Sequence, residues 1–476
     1  MASERRAKIV CTLGPASDSP EMILRLLKAG MDVVRLNFSH GTVEQHARTI
    51  RIVRRAAANQ RKPVAILLDL PGPKIRIGEI AGGAVPLKAG GEIVLTGHRV
   101  MGTAKRVSAN YANLARDVRP GDRILIDDGR IHLRVRAVQG RDIRCRIEHG
   151  GTLHSHKGIN LPGSALSVPS LTRRDREGLG FGLEQGVDYL AVSFVRSAKD
   201  LQSARRALRK RNGRIPLIAK IEKPQAVENL DSILDEADGV MVARGDLGVE
   251  LPPERVPMVQ KRIIEAANVR GHPVITATQM LYSMVENPQP TRAEASDVAN
   301  AVLDGTDALM LSGETATGRY PVEAVRMMAR IVQETERSSD ACFRDFPDRS
   351  STPSTVVAAA ACQAAREVSA RAIVAFTRSG LTARWVSKHR PRERIFAYTP
   401  DETVLRGLSL DWGADPFPMP VGRRIEEMIA WVEADLLKRR LVRAGEVVVI
   451  VGSSPVSEGG PTNLLKVHRV KGGSRR

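Results

Sequence analysis

The sequence predicts an α/β architecture: a (β/α)8 barrel that carries an inserted all-β lid domain and is followed by a C-terminal α/β domain. Three observations lead there. Between Lys8 and Glu336 short apolar runs alternate with amphipathic helical stretches, the pattern of parallel strands joined by crossover helices. From Asp69 to about Lys157 the helical period vanishes and turn signals crowd together. After a polar stretch at 337–354 a new helix-and-strand rhythm begins. The expected divisions are 1–70 and 158–340 for the two parts of the barrel, 71–157 for the β-barrel lid and 341–476 for the last domain. A doubly wound open sheet is the competing arrangement, but eight strands separated by helices suit closure better.

In chain order, the strands are expected at Lys8–Thr12, Val33–Asn37, 64–69, 189–193, Leu217–Ile221, Gly239–Ala243, Val274–Ala277 and 308–312. Each is a short apolar run. Helical periodicity fills the gaps over Pro20–Ala29, 43–58, 198–210, 226–236, 257–269, Arg292–Leu303 and 321–336. The insertion after the third strand is dense in turns: Gly82-Gly83, Gly90-Gly91, Pro120-Gly121-Asp122, Asp127-Asp128-Gly129 and Gly150-Gly151. Between them residues alternate, as from Ile131 to Val138, which marks half-buried antiparallel strands. An insertion at a strand C-terminus stands over the mouth of a barrel, so a lid is its natural role. In the last domain an Ala-rich helix (356–369) precedes strands at Ala372–Phe376 and 447–451.

The totals narrow the function classes. With 476 residues, 42% hydrophobic and 26% charged, the chain has the composition of a soluble protein of several domains. No apolar run approaches the roughly 18–20 residues that span a bilayer, and the N-terminus reads poorly as a signal peptide, so a cytoplasmic location without membrane contact is expected. The four cysteines, Cys11, Cys145, Cys342 and Cys362, lack metal spacing and read as buried thiols. A net charge of +20 suggests anionic partners. Aromatics make up only 3%, so a base-stacking surface is poorly supported and small phosphorylated substrates fit better than nucleic acid. The basic run from Arg205 to Arg211 sits beside Ala and Leu at helical spacing and reads as a solvated helix face.

Candidate chemistry lies at the strand ends, where barrel catalysts gather. The fifth strand follows the Asn212-Gly213 turn signal and delivers Lys220 and Glu222. Strand side chains alternate, so these two share one wall. An ammonium beside a carboxylate is either a metal ligand next to an electrophile or an ordinary ion pair. The second strand aligns Arg35, Asn37 and Ser39 on one face, a pattern that suits a phosphate or cation pocket, with a solvated strand end as the alternative. The third ends in Asp69, and the sixth runs into Arg244-Gly245-Asp246-Leu247-Gly248. Glycine there lets backbone N–H groups approach an anion, and Glu222 with Asp246 makes a two-carboxylate site that leaves Mg2+ positions for water and substrate oxygens. The seventh strand supplies Thr276 and Thr278, and the eighth Ser312 and Glu314.

These stretches resemble the pyruvate kinase family. The match covers 34–41 (VRLNFSHG), 157–163 (KGINLPG), 217–222 (LIAKIE), 241–248 (MVARGDLG), 276–280 (TATQM), 290–304 and 310–316 (MLSGETA), in the family order, and is weaker over the C-terminal domain. The resemblance implies a phosphotransferase of the last step of glycolysis. It moves the phosphoryl group of phosphoenolpyruvate to ADP, giving pyruvate and ATP, with Mg2+ (or Mn2+) as cofactor. By resemblance, Arg35 and Lys220 hold the moving phosphoryl and Lys220 stabilises its transition state. Glu222 and Asp246 hold the metal. Gly245, Asp246 and Thr278 receive the substrate carboxylate. Water, Thr278, Ser312 and Glu314 are the candidate relay that protonates the enolate. ADP would meet Asn37, Ser39, His40, Arg76 and Lys157 as the lid closes.

One departure stands out. Potassium-requiring members resemble L-D-T-K-G-P-E at the third strand, with a monovalent cation held by the equivalents of Asn37, Ser39 and Asp69. This chain has Leu68-Asp69-Leu70-Pro71-Gly72-Pro73-Lys74, so Lys74 is expected to replace K+ and make it unnecessary. In the last domain Thr377, Arg378, Ser379, Gly380 and Thr382 form a loop at a helix start, with Arg384 nearby, that suits a phosphorylated allosteric effector. The second loop of that site, 452–463, gives no pattern for one effector, and the alternative for the first is an ordinary capped turn. A homotetramer is what the resemblance implies. Two other readings compete: a Mg2+-dependent barrel lyase or aldolase acting on enolpyruvate-type substrates, and a basic nucleic-acid-associated protein with a relict barrel.

Overall fold

The computed structural model describes residues 5–163, 168–343, 346, 351–422, 424–454 and 460–471. Eight parallel strands close into a barrel: β1 (Lys8–Thr12), β2 (Val33–Asn37), β3 (Ala65–Asp69), β4 (Tyr189–Val192), β5 (Leu217–Ile221), β6 (Gly239–Ala243), β7 (Val274–Ala277) and β8 (Ala308–Leu311). Each pairs with its sequence neighbours, and β1 pairs with β8 to complete the ring. The open-sheet alternative is thereby excluded.

Strand alternation sorts the side chains. Val10, Val33, Leu67, Ile218, Met241, Ile275 and Met310 fill the barrel interior. Their neighbours Ile9, Cys11, Val34, Leu68, Leu217 and Ala219 pack outward against the helices. Continuing the inward set by two residues puts Arg35 above Val33, Asp69 above Leu67 and Lys220 above Ile218. The ladder sets their height, with Asn37 opposite Asp69 and Lys220 opposite Met241.

Two helices depart from the sequence expectation. The one expected over 226–236 is two, Pro224–Glu228 and Leu230–Glu236, divided at Asn229, whose side chain is tied to the carbonyl of Arg196 at 2.9 Å. A helix at Arg173–Glu184 has no apolar period to announce it, because three of its buried positions are Gly178, Gly180 and Gly182. They are there for close approach: a Cβ at Gly178 would stand 2.6 Å from Leu70 and 3.1 Å from Phe38. The helix Ala198–Arg209 buries Leu201, Ala204 and Leu208 and leaves Arg206 and Arg209 in solvent.

The insertion forms a six-stranded sheet and a two-stranded sheet around one core that includes Ile93, Leu95, Ile124, Ile131, Val135 and Ile143, and the larger sheet takes in the strand Ile159–Asn160, past the boundary expected at 157, because it pairs with Arg123–Ile126. The last domain is a five-stranded sheet in the order Ala414–Pro418, Arg394–Thr399, Ala372–Phe376, Val447–Gly452, Leu464–Arg469, with only the last strand antiparallel. It docks on the barrel floor. Leu410 joins the interior cluster, Tyr189 donates to the carbonyl of Gly407 at 3.1 Å, and Arg406 pairs with Asp188 at 2.8 Å. All four cysteines are buried thiols outside any disulfide. No helix among the described residues is long and apolar enough to cross a membrane.

Candidate active site

The interior column ends in a compact ionic cluster. Lys220 Nζ donates to Ser193 Oγ at 2.7 Å and lies 3.2 Å from Asp69 Oδ1 and 2.9 Å from Glu222 Oε1. Arg35 places Nε and Nη2 on Asp69 Oδ2 at 2.7 Å and donates from Nη1 to Thr12 Oγ1 at 3.0 Å. Glu222 Oε2 accepts the Phe194 N–H at 2.7 Å. Lys220, Glu222 and Asp69 are all buried. Of the two readings the strand end left open, a surface ion pair is therefore ruled out.

Charges in this cluster set one another. Burial alone would disfavour ionised Lys220, but Asp69 and Glu222 outweigh it and hold the ammonium above its ordinary range. Burial would also raise Asp69, yet Lys220 and Arg35 keep it a carboxylate with a lowered pKa. Glu222 goes the other way. Its burial and the charge of Asp246 raise it, and Lys220, shared with Asp69, offsets only part of that. Glu222 has only a share of Lys220 and Asp246 has Lys74 only at 4.0 Å, so these two mutually repelling carboxylates form a donor set short of positive charge. A divalent cation fits it. Among the described residues no three His, Cys, Asp or Glu side chains converge to form a fuller metal cage.

Asp246 lies in the first turn of the short helix Arg244–Glu250 beyond β6, and Lys74 Nζ stands 4.0 Å from its Oδ1. Thr278 has φ +70° and Gln279 φ +55°, left-handed values that are costly for a β-branched residue. Arg244 secures the turn by donating to the carbonyls of Ala277 at 3.3 Å and Thr278 at 2.8 Å, while it pairs with Asp297 at 2.6 Å. Thr278 Oγ1 thereby reaches the Gly245 N–H at 2.7 Å.

The remaining expected residues divide into several groups. Ser312 and Glu314 lie beyond β8, but Glu314 spends Oε1 on the Leu281 N–H at 3.1 Å and Oε2 on the Ser312 N–H at 2.7 Å. Both oxygens are committed to holding the β7 and β8 loops together. Thr276 donates to Thr306 at 2.9 Å, away from the column. Asn37 Oδ1 accepts the Ser39 N–H at 3.1 Å, and Ser39 and His40 are exposed on the rim. Arg76 and Lys157 sit on the lid, held by the His156 carbonyl at 3.0 Å and Asp127 at 2.8 Å.

Sequence reasoning missed Thr12, Ser193 and the Phe194 amide. The signal was present in weak form, since Thr12 and Ser193 each close an expected strand with one polar residue.

In the last domain Thr377, Arg378, Ser379 and Thr382 line a cavity of about 210 Å³. Gly380, at φ +88°, donates its N–H to Thr377 Oγ1 at 2.9 Å, and Thr382 is joined to Thr462 at 2.7 Å. Arg384 does not serve this loop; it is committed to Asp411 at 3.0 Å. Residues 455–459 of the second loop lie outside the described residues.

Family models for the pyruvate kinase barrel domain and for the pyruvate kinase alpha/beta domain match residues 4–325 and 355–468. The chain belongs to the pyruvate kinase family. It is 46% identical over 471 residues to a pyruvate kinase of Geobacillus stearothermophilus, covering 98% of this chain and 80% of that relative. With one of Corynebacterium glutamicum it shares 47% over 465 residues, 98% of each. A crystal structure of a pyruvate kinase from Cryptosporidium parvum superposes with a TM-score of 0.92 at 37% identity, over 98% of this chain and 96% of that one. Pyruvate kinases are phosphotransferases of the last glycolytic step and use a divalent metal, as the sequence resemblance implied.

Proposed function

We propose that this pyruvate kinase moves the phosphoryl group of phosphoenolpyruvate to ADP with the cluster around Lys220 as its centre. The observation that carries this reading is the buried ammonium of Lys220 between Asp69 and Glu222, beside the Arg35 guanidinium. Phosphoryl transfer needs positive charge fixed around the equatorial oxygens and no protein nucleophile. Arg35 and Lys220 supply that charge on stiff strands. Glu222 and Asp246 would hold Mg2+, which when bound neutralises charge on substrate oxygens. Gly245, Asp246 and Thr278 orient the carboxylate of the substrate. Protonation of the enolate falls to water with Thr278 and Ser312, while Glu314 steadies both loops. Asn37, Ser39 and His40 on the rim and Arg76 and Lys157 on the lid face the nucleotide, and closure of the lid excludes water.

Lys74 brings an ammonium to the same rim, which supports turnover without K+. The purified protein is expected to form ATP from phosphoenolpyruvate and ADP, to stop when EDTA removes divalent metal, and to resume with Mg2+. Omitting K+ should leave the rate essentially unchanged. A many-fold fall in K+-free buffer would remove the role given to Lys74, and no ATP under any condition would remove the whole assignment.

The Thr377–Thr382 loop is assigned to a phosphorylated effector. Sugar phosphates or inorganic phosphate should raise the unfolding midpoint of the native chain but not of Ser379→Asp, whose charge repels phosphate. Equal shifts in both proteins, read by scanning fluorimetry, count against it.

A further inference from the structure

Glu250 ends the helix Arg244–Glu250 that carries Asp246 in its first turn, and its buried carboxylate gathers donors from two other parts of the molecule. Lys223 Nζ is seated on Oε1, and Asn160 Nδ2, on the lid strand Ile159–Asn160, donates to the same oxygen at 3.0 Å. Lys223 is the residue after Glu222. It stands 5.8 Å from the centre of the Phe194 ring, and the Phe194 N–H holds Glu222. Exposure is 8% for Lys223, 7% for Glu250 and 7% for Asn160, so none of the three is a solvated surface contact. A carboxylate at a helix C-terminus opposes the helix dipole and, once buried, needs a cation. The lid turn at Gly129 closes on the same place, since a Cβ there would lie 3.8 Å from Val249.

We propose that Lys223, Glu250 and Asn160 are a positioning set that fastens the hinge strand of the lid to the two segments bearing the metal carboxylates. Through Glu250, the helix of Asp246, the segment of Glu222 and the lid take one relative placement. This rests on the assignment of the site given above.

The set is asymmetric, and its two arms differ in outcome. Loss of the Asn160 arm frees the lid but leaves Lys223 on Glu250. Loss of the Lys223 arm leaves a buried carboxylate uncompensated and shifts both metal-bearing segments. In the full-length protein, Asn160→Leu is expected to raise KM for ADP about tenfold, the value of a hydrogen bond to a charged group. It should speed amide hydrogen exchange at 159–161 but not in β5, and leave Mn2+ binding to the substrate-free protein unchanged. Lys223→Met is expected to weaken Mn2+ binding, measured by paramagnetic resonance of the free ion, by roughly tenfold or more. Lys223→Arg should restore it, which a simple loss of packing would not predict and which keeps the test open if the Met variant folds poorly. An unchanged KM for ADP in Asn160→Leu, or a loss of Mn2+ affinity as large as that of Lys223→Met, overturns the proposal. Absence of ATP formation by the native chain would instead overturn the site assignment on which it rests.

Discussion

Lys220→Met is expected to lower kcat for ATP formation by roughly two or more orders of magnitude, the scale of removing a main electrostatic stabiliser of a transition state. The ammonium is buried, charged throughout the working pH range because Asp69 and Glu222 hold its pKa up, and fixed by three partners within 3.2 Å. It therefore meets developing charge without reorganising. Arg35 cannot move into the vacated place, because Asp69 and Thr12 hold it where it stands. Methionine fills a similar volume, Asp69 keeps Arg35, and Glu222 keeps the Phe194 amide, so the fold should survive. The expected pattern is a collapse in kcat, a smaller change in KM for phosphoenolpyruvate and a still cooperative thermal transition, lowered because Glu222 loses its cation. A loss under about tenfold would mean that this cation binds the ground state as strongly as the transition state.

Much of this centre was legible in the sequence, for a physical reason. A strand period of two is rigid, so Lys220 with Glu222, and Arg35 with Asn37, had to share walls once their strands were recognised. Barrel closure then brought the walls together. What stayed hidden depends on tertiary context. Ser193 and Thr12 are single small hydroxyls, chemically silent until Lys220 and Arg35 arrive from other strands. The helix Arg173–Glu184 was masked by glycines that serve packing against Phe38 and Leu70. The family resemblance placed Glu314 in the proton relay, yet the Ser312 and Leu281 amides use both its oxygens. Arg384 looked available to an effector loop until Asp411 appeared beside it.

The second large effect concerns the barrel floor: Asp307→Asn is expected to cost about 3–5 kcal/mol of stability, the penalty for breaking a buried ion pair from one side. Asp307 stands just before β8 and is fully buried. It receives Lys388 Nζ at 2.6 Å and the Val274 N–H at 2.7 Å, with Arg390 Nη2 in ionic contact at 3.0 Å. Both cations come from the last domain, and both are 1% exposed. Asparagine keeps the shape and the backbone bond but removes the charge. Lys388 and Arg390 would then lose their carboxylate and keep the Asn268 amide oxygen, the Gly305 carbonyl and the Phe346 and Trp412 rings. Lys388→Met should cost less, because Asp307 would still have Arg390. The sign of the pH dependence follows from the same contacts. Burial favours the neutral acid, but Lys388 and Arg390 outweigh it and hold Asp307 below its ordinary pKa. The unfolded chain therefore takes up this proton first, and the stability carried by the pair is present above about pH 4 and lost as the pH falls further. The deficit of Asp307→Asn should accordingly be largest near neutrality and shrink in acid, as urea unfolding at a series of pH values can measure. A deficit that stays constant across that range would assign the effect to packing and not to charge.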